Sequence, residues 1–545
     1  MRSWLSPTPP SRLRRQWHSI RTLVAIATVL AIVCLGIGAA ADTASASNAA
    51  AGLGDDRELT VPAWLTVFTG GVAIGASALL AALVTDRQLV DALHTWSLPL
   101  SASRSDPSNP SNRSETSSAL APHLRELASG LWWLTGLVGV AALVGTVVVG
   151  LTGPGRVAPT ANLAIILSFV GLRSLLPMVA FLVGNPWPAL DPFRRLARAL
   201  AALGEGVMCL LPPIQSFGGT DTDSTDTGPT DTHAIADGGS GLLTYPSTLS
   251  SWPAVAGLGA LVWLELVLPV TSDPPLLARL AAGYTIYTVA GAILFGSNAW
   301  FRRADPLATV FRLYGAVAPI QRRRDGRGLT LVLPGSRLRD PDLVTDASEV
   351  AFVLLLVWEL TFNGFVVTPP GSRLLAELVG AGAPVAVATF AVFAGGYAVA
   401  FGLYWLAAST ARRTAPTYLS TATLARRFAP PLLAIAAGYH VAHYVGVVLS
   451  LSPAAVAVVT SPLSPPLNPT TLALPGWVGM LEIGALLAGH LLAVWVAHAT
   501  AFDCFPGRLQ AIRSQYPLIA VMVCYTAVSL WLLTLPTVQP PTLAG

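Results

Sequence analysis

Lysine is absent from the chain, and acidic and basic residues together make up only 11% of it. A soluble domain of average composition carries roughly 25% charged residues. Less than half of the usual charge is therefore spread over 545 residues, against 53% hydrophobic residues and a mean hydropathy of +0.61. These numbers exclude a soluble globule, a coiled coil, a collagen-like rod and a disordered chain. Cysteine is scarce too. Cys34, Cys209, Cys504 and Cys524 are widely spaced with no CxxC pair, which argues against a disulfide framework or a cysteine zinc site. No G-x-S-x-G, H-E-x-x-H, Walker or G-x-G-x-x-G motif occurs, and no nucleic-acid motif.

What the chain does have is long apolar runs. Arg12, Arg14, Arg15 and Arg21 precede an apolar run at 22–40, followed by small residues at 41–50. That is the pattern of a signal sequence, over 1–46, with an uncleaved helix as the competing reading. Ten further runs lie at 62–84, 129–151, 159–183, 251–271, 275–298, 348–367, 384–407, 429–451, 475–500 and 514–536. Each is near the ~20 residues that a bilayer core requires, and only helices satisfy their own backbone there. The expected fold is an all-α membrane protein. About ten transmembrane helices after the signal sequence or signal-anchor form one polytopic domain over 47–545.

Arginine tests that map. Alternating from an outside start, loops 85–128, 184–250, 299–347, 408–428 and 501–513 carry 22 arginines. The outside segments carry three: Arg57, Arg156 and Arg373. The positive-inside rule demands this imbalance. It predicts a plasma-membrane protein with both mature ends outside, in contact with membrane lipid and not with nucleic acid. No protein partner can be read from the chain. The loops at 101–119 and 213–250, the latter with an Asp/Thr tract at 219–232, read as disordered cytoplasmic linkers. Segments 185–204 and 299–318 read as amphipathic interfacial helices. In the first, Trp187 and Phe193 are expected at headgroup depth, with Arg194, Arg195 and Arg198 towards anionic lipid. Residues 322–335 suggest a small hairpin around Asp325-Gly326.

Several segments occur in a familiar order: LTVPAWLTVF (59–68), NPW (185–187), WPAVAGLGALVWLELV (252–267), LTFNGF (360–365), AHY (442–444), AGHLLAVWVAHATA (488–501) and RSQYPLIAVMVCYTAVSLWLL (513–533). With these the chain resembles a multipass membrane protein family of actinobacteria and haloarchaea, many of whose members carry the label fenitrothion hydrolase. The resemblance covers most of residues 50–535. Its motif positions here are Asn185, Pro186, Trp187, Glu265, His443, His490, His498, Arg513, Ser514, Gln515 and Tyr516. It implies organophosphate ester hydrolysis but brings no catalytic residue with it. Two departures stand out. The family's A-H-G start reads AAGLG at 50–54, without histidine, and its T-F-D-G-F carries Asn363 in place of the aspartate.

Ionisable residues within spans cost roughly 2.5–3.5 kcal/mol each on insertion scales and face a bundle interior. His440 lies 11 residues from the inner end of its run at 429, and His490 lies 10 from the inner end of its run at 500. At 1.5 Å per residue both stand ~15 Å deep, on consecutive antiparallel helices. His443 is one turn further out, and His498 is near the inner interface. The cluster reads either as a transition-metal or haem site, with copper and iron as candidates, or as four interhelical hydrogen bonds. A second polar layer comprises Arg173, Glu265 and Glu359, with Glu482 nearer the outer face. Arg173 with one glutamate makes a buried ion pair that serves as a proton or substrate relay or fixes packing. In the RSQY box, Ser514 reads as a helix cap and Pro517 as a first-turn residue, with Arg513 as an interfacial anchor. Three functions follow as expectations. The first is metal- or haem-linked work, in copper handling or electron transfer, on His440, His443, His490 and His498. The second is a proton- or ion-coupled transporter using Arg173, Glu265 and Glu359. The third is the membrane-embedded hydrolase that the resemblance implies.

Overall fold

The structure, a computed structural model, describes residues 63–100, 116–153, 158–210, 241–323, 328–536 and 538. The expected signal sequence lies outside the described residues. Among them the chain is mostly helical, with eight helices long and apolar enough to cross a membrane. The protein is a multi-pass helical membrane protein.

The chain opens with α1 (Ala63–Leu83), which turns sharply into α2 (Arg87–Thr95), capped by Asp86. The two axes differ by 113°. α3 (Thr116–Thr152) and α4 (Leu163–Leu182) follow, then the short α5 (Trp187–Leu190) and α6 (Pro192–Leu210). α7 (Trp252–Val267), α8 (Pro274–Phe295), α9 (Ser297–Arg303) and α10 (Pro306–Gly315) lead to α11 (Ala347–Val366). α12 (Pro369–Gly380), α13 (Val385–Thr414), α14 (Thr421–Phe428), α15 (Leu432–Ser450), α16 (Ser452–Thr460), α17 (Trp477–Cys504) and α18 (Arg508–Thr534) complete the bundle. α11 is the most enclosed span, packed by α7, α13, α15 and α18.

Eight of the ten expected spans match these helices. The run at 251–271 is shortened because α7 ends at Val267. Leu268 is extended (φ −97°, ψ 149°), as the residue before Pro269 is steered to be. Sixteen residues reach about 24 Å, short of a ~30 Å core. The run at 62–84 forms the straight part of the bent α1–α2 pair. Most of the two expected linkers, 101–115 and 213–240, lies outside the described residues. α3 already begins at Thr116, within 101–119. Beyond 240 the chain is fixed by Leu242 and Leu243 N–H groups donating to the carbonyls of Ile293 and Leu294. The hairpin exists as β2 (Ile320–Arg322) antiparallel to β3 (Leu329–Val332); its turn, 324–327, lies outside the described residues. A third strand, β1 (Ser97–Pro99), pairs with the other edge of β3 and was not foreseen, since three residues carry no periodicity.

α15 and α17 pack closely against each other. Two glycines permit it. A Cβ at Gly438 would stand 2.5 Å from the Ala485 carbonyl oxygen and 2.9 Å from the Gly489 Cα; one at Gly489 would stand 2.5 Å from the Ala434 oxygen. Small residues let membrane helices meet backbone to backbone, where packing replaces the missing hydrophobic drive. Gly489→Ala should lower stability by about 1–3 kcal/mol, the usual cost of overpacking, read as an earlier thermal transition in detergent. An unchanged transition would show that the two backbones are not in contact.

Candidate functional site

The polar centre of the bundle is built on α4, α7 and α11. Residues Ile166–Leu175 of α4 form a π-helix, with the Leu176 N–H donating to the Gly171 carbonyl and Ser174 Oγ to the Phe169 carbonyl. Such widened turns are rare and concentrate at functional positions. This one carries Arg173. Its Nη2 donates to Glu359 Oε2 at 2.7 Å, its Nη1 reaches Glu359 Oε1 at 3.4 Å, and its Nε donates to Glu265 Oε2 at 3.2 Å. The sequence led us to expect one ion pair; the structure joins the arginine to both glutamates. Asn363, one turn beyond Glu359 on α11, donates its amide N–H to Glu359 Oε2 at 3.2 Å. The Tyr444 ring stacks under the guanidinium, 5.0 Å from Cζ, as a cation–π partner.

The two carboxylates are not equivalent. The Glu359 side chain is 3% exposed and receives three donor contacts, from Arg173 twice and Asn363 once. Glu265 is 12% exposed and holds Arg173 through one longer contact. Among the described residues, Arg173 is the one cation paired with either glutamate. Two carboxylates facing one guanidinium leave an excess of one negative charge when all are ionised, which is costly away from water.

The histidines do not converge. The His440 Nε2–H donates to the Ser174 carbonyl (3.2 Å), with the ring against Tyr444, Phe181 and Tyr314. The His490 Nδ1–H donates to the Leu486 carbonyl of its own helix (2.9 Å), with its ring facing Tyr525. His443 lies between Tyr439 and Tyr444. His498 Nε2–H donates to the Val84 carbonyl at the α1–α2 bend (2.9 Å), and its Nδ1 lies 3.3 Å from Gln515 Oε1. The equal depths of His440 and His490 are therefore not a pairing. Gly438 and Gly489 occupy the α15–α17 contact. At ~100° per residue, His440 is turned about 200° from that contact, towards α4, and His490 about 100°, towards α18. Among the described residues, no group of three or more His, Cys, Asp or Glu side chains could hold a metal ion.

The remaining motif residues have structural roles. The Trp187 N–H donates to Asn185 Oδ1, and Asn185 packs on Gly315. Trp187 and Phe193 are buried, and Trp187 stacks on Phe311 at 4.5 Å, so they do not face lipid as expected. The second amphipathic segment behaves likewise, with Trp300, Phe301, Phe311 and Tyr314 inside. Ser514 is not a cap. α18 starts at Arg508, six residues before that serine, whose Oγ donates to the Ala511 carbonyl. Pro517 is inside the helix, where its missing N–H frees the Arg513 carbonyl; Thr414 Oγ1 donates to that carbonyl at 3.3 Å. Arg513 and Tyr516 are exposed, and Gln515 serves His498. Pro186 occupies the N-cap position of α5, and Glu482 is half-buried in the second turn of α17. Neither a family model nor a curated protein nor a solved structure matches the chain.

Sequence reading missed a second buried acidic node. Asp305 is fully buried and accepts from Tyr284 OH, Thr288 Oγ1 and the Ala308 N–H. Burial raises its pKa. Asp191, 2% exposed, accepts from the Arg194 N–H, lies 3.5 Å from Arg194 Nε, and is pushed by burial up to about 6. The signal was available as Asp-Pro at 191–192 and at 305–306, each an acidic cap ahead of a first-turn proline. A carboxylate whose folded pKa exceeds its unfolded value binds the extra proton in the folded state. Its stabilising contribution is present below about pH 4 and lost as pH rises through about 6. Asp191→Asn keeps the cap and removes the charge. It should flatten the fall in stability between pH 4 and 6 and leave the variant about 3 kcal/mol more stable at pH 7. Parallel stability-against-pH curves for the two proteins would contradict this.

Proposed function

We propose that this protein is a proton-coupled transporter of the plasma membrane, with Arg173, Glu265 and Glu359 as its proton-carrying site. The observation that supports it is the charge count at the bundle centre. One guanidinium faces two carboxylates that are 12% and 3% exposed. Bound to one proton the group is neutral; without it the group carries one negative charge. A neutral loaded group crosses a low-dielectric interior far more easily than a charged one, the thermodynamic requirement for coupling proton movement to a change of access.

The roles follow from the contacts. Glu359 is gripped by bidentate Arg173 and by Asn363. Glu265, with one contact and more exposure, is the carboxylate that takes and releases the proton. Protonation moves one proton to a Glu265 oxygen and removes its charge. Its hold on Arg173 Nε then weakens, while the Glu359 pair persists. α7 thereby loosens from the π-helical segment of α4, and α4 and α11 stay tied. In this reading the arginine-rich loops face the cytoplasm and both mature ends are outside. Reconstituted protein should take up protons in response to a subset of a solute panel, followed with a trapped pH dye. Glu265→Gln should abolish that uptake. Uptake by the variant at the wild-type rate would reject Glu265 as the carrier.

A further inference from the structure

Between Glu377 and Glu482 the sequence contains four arginines and no acidic residue. Two of the four have visible work: Arg426 donates to the Thr345 carbonyl, and Arg427 hydrogen-bonds Cys504. Arg412 and Arg413, in the last turn of α13, are exposed and have no ion-pair or hydrogen-bond partner among the described residues. They line an open surface cavity of about 390 Å³ together with Ser409, Pro416, Thr417 and Thr421. The chain folds around it, from the end of α13 through loop 415–420 to the first residue of α14. α18 holds that fold in place. Gln510 Nε2 donates to the Pro416 carbonyl at 3.3 Å, and Thr414 donates to the Arg513 carbonyl.

A second observation concerns the membrane side. Val399, Leu403 and Leu406 are 62%, 47% and 60% exposed. Their spacing of four and three places them on one stripe of α13, and four and seven residues further the same stripe meets Thr410 and Arg413. An uncovered apolar track thus runs along the helix and ends at a basic, hydroxyl-lined cavity. Arginines near a membrane surface also serve as plain topology anchors. Here they line an open depression together with hydroxyl side chains, and no carboxylate among the described residues pairs with them.

We propose that this cavity binds the phosphate headgroup of an anionic membrane lipid, with the acyl chains lying along the Val399–Leu403–Leu406 stripe. The guanidinium fork matches phosphate oxygens in bidentate geometry, and the hydroxyls of Thr417 and Thr421 are placed to complete the headgroup's hydrogen bonding.

The test is native mass spectrometry of the full chain in detergent, titrated with phosphatidylglycerol, phosphatidylcholine or inorganic phosphate. Wild-type protein should retain one phosphatidylglycerol in preference to phosphatidylcholine, and millimolar phosphate should not displace it. Arg412→Gln with Arg413→Gln should weaken phosphatidylglycerol on the order of thirty-fold, as two lost basic contacts imply. Arg412→Lys with Arg413→Lys should lie between the two. Equal binding of both lipids by the wild type, or unaltered binding by the glutamine variant, would overturn the proposal. Displacement by inorganic phosphate would assign the cavity to a free anion and overturn the lipid assignment. The wild-type comparison stands even where a variant fails to fold, and none of its outcomes depends on the transport reading.

Discussion

One guanidinium shared by two carboxylates inside a helical bundle is the constraint around which this structure is arranged. Arg173 cannot be left alone in an apolar interior, since an unpaired buried charge costs several kcal/mol. Glu265 and Glu359 answer it from two other helices. That fixes the mutual position of α4, α7 and α11 at one depth. The π-helical turn under Arg173, the Tyr444 ring against its face and the Asn363 amide on Glu359 each support the arrangement.

The surrounding bundle keeps that centre enclosed by different means. α11 is buried along most of its length, and α15 and α17 close on one another through Gly438 and Gly489. At the arginine-rich end, polar ties replace apolar packing. Glu349 binds both Arg302 and Arg312 at 2.7 Å, and Arg339 pairs with Asp91 and Asp503. His498 anchors the α1–α2 bend at Val84. Of the four histidines, His440 and His498 fasten separate segments by donating to a carbonyl, His490 donates within its own helix, and His443 lies between two tyrosines.

Span positions were legible because a bilayer imposes a length and an apolar composition that composition alone can display. Where the reading erred, local backbone chemistry was decisive. Pro269 ends α7 early, and α18 extends through Arg508 although its first turns are polar. Arg173, Glu265 and Glu359 were legible as costly residues at similar depth, but sequence could not show that all three meet. Depth failed for the histidines because it gives height and not azimuth. The Gly438–Gly489 contact, with the Ser174 and Tyr525 contacts, shows which way His440 and His490 face. Trp187 and Phe193 were misread because an amphipathic pattern looks the same against lipid and against protein.

The central claim is that the Arg173 centre binds one exchangeable proton, on Glu265. Infrared difference spectroscopy of the purified protein, stepped between acid and alkaline pH, measures this directly. The account predicts, beside the bands of buried Asp191 and Asp305, a further buried carboxylic-acid band that appears on acidification, disappears in Glu265→Gln and persists in Asp191→Asn. A band set unchanged by Glu265→Gln would place the proton elsewhere and contradict the account.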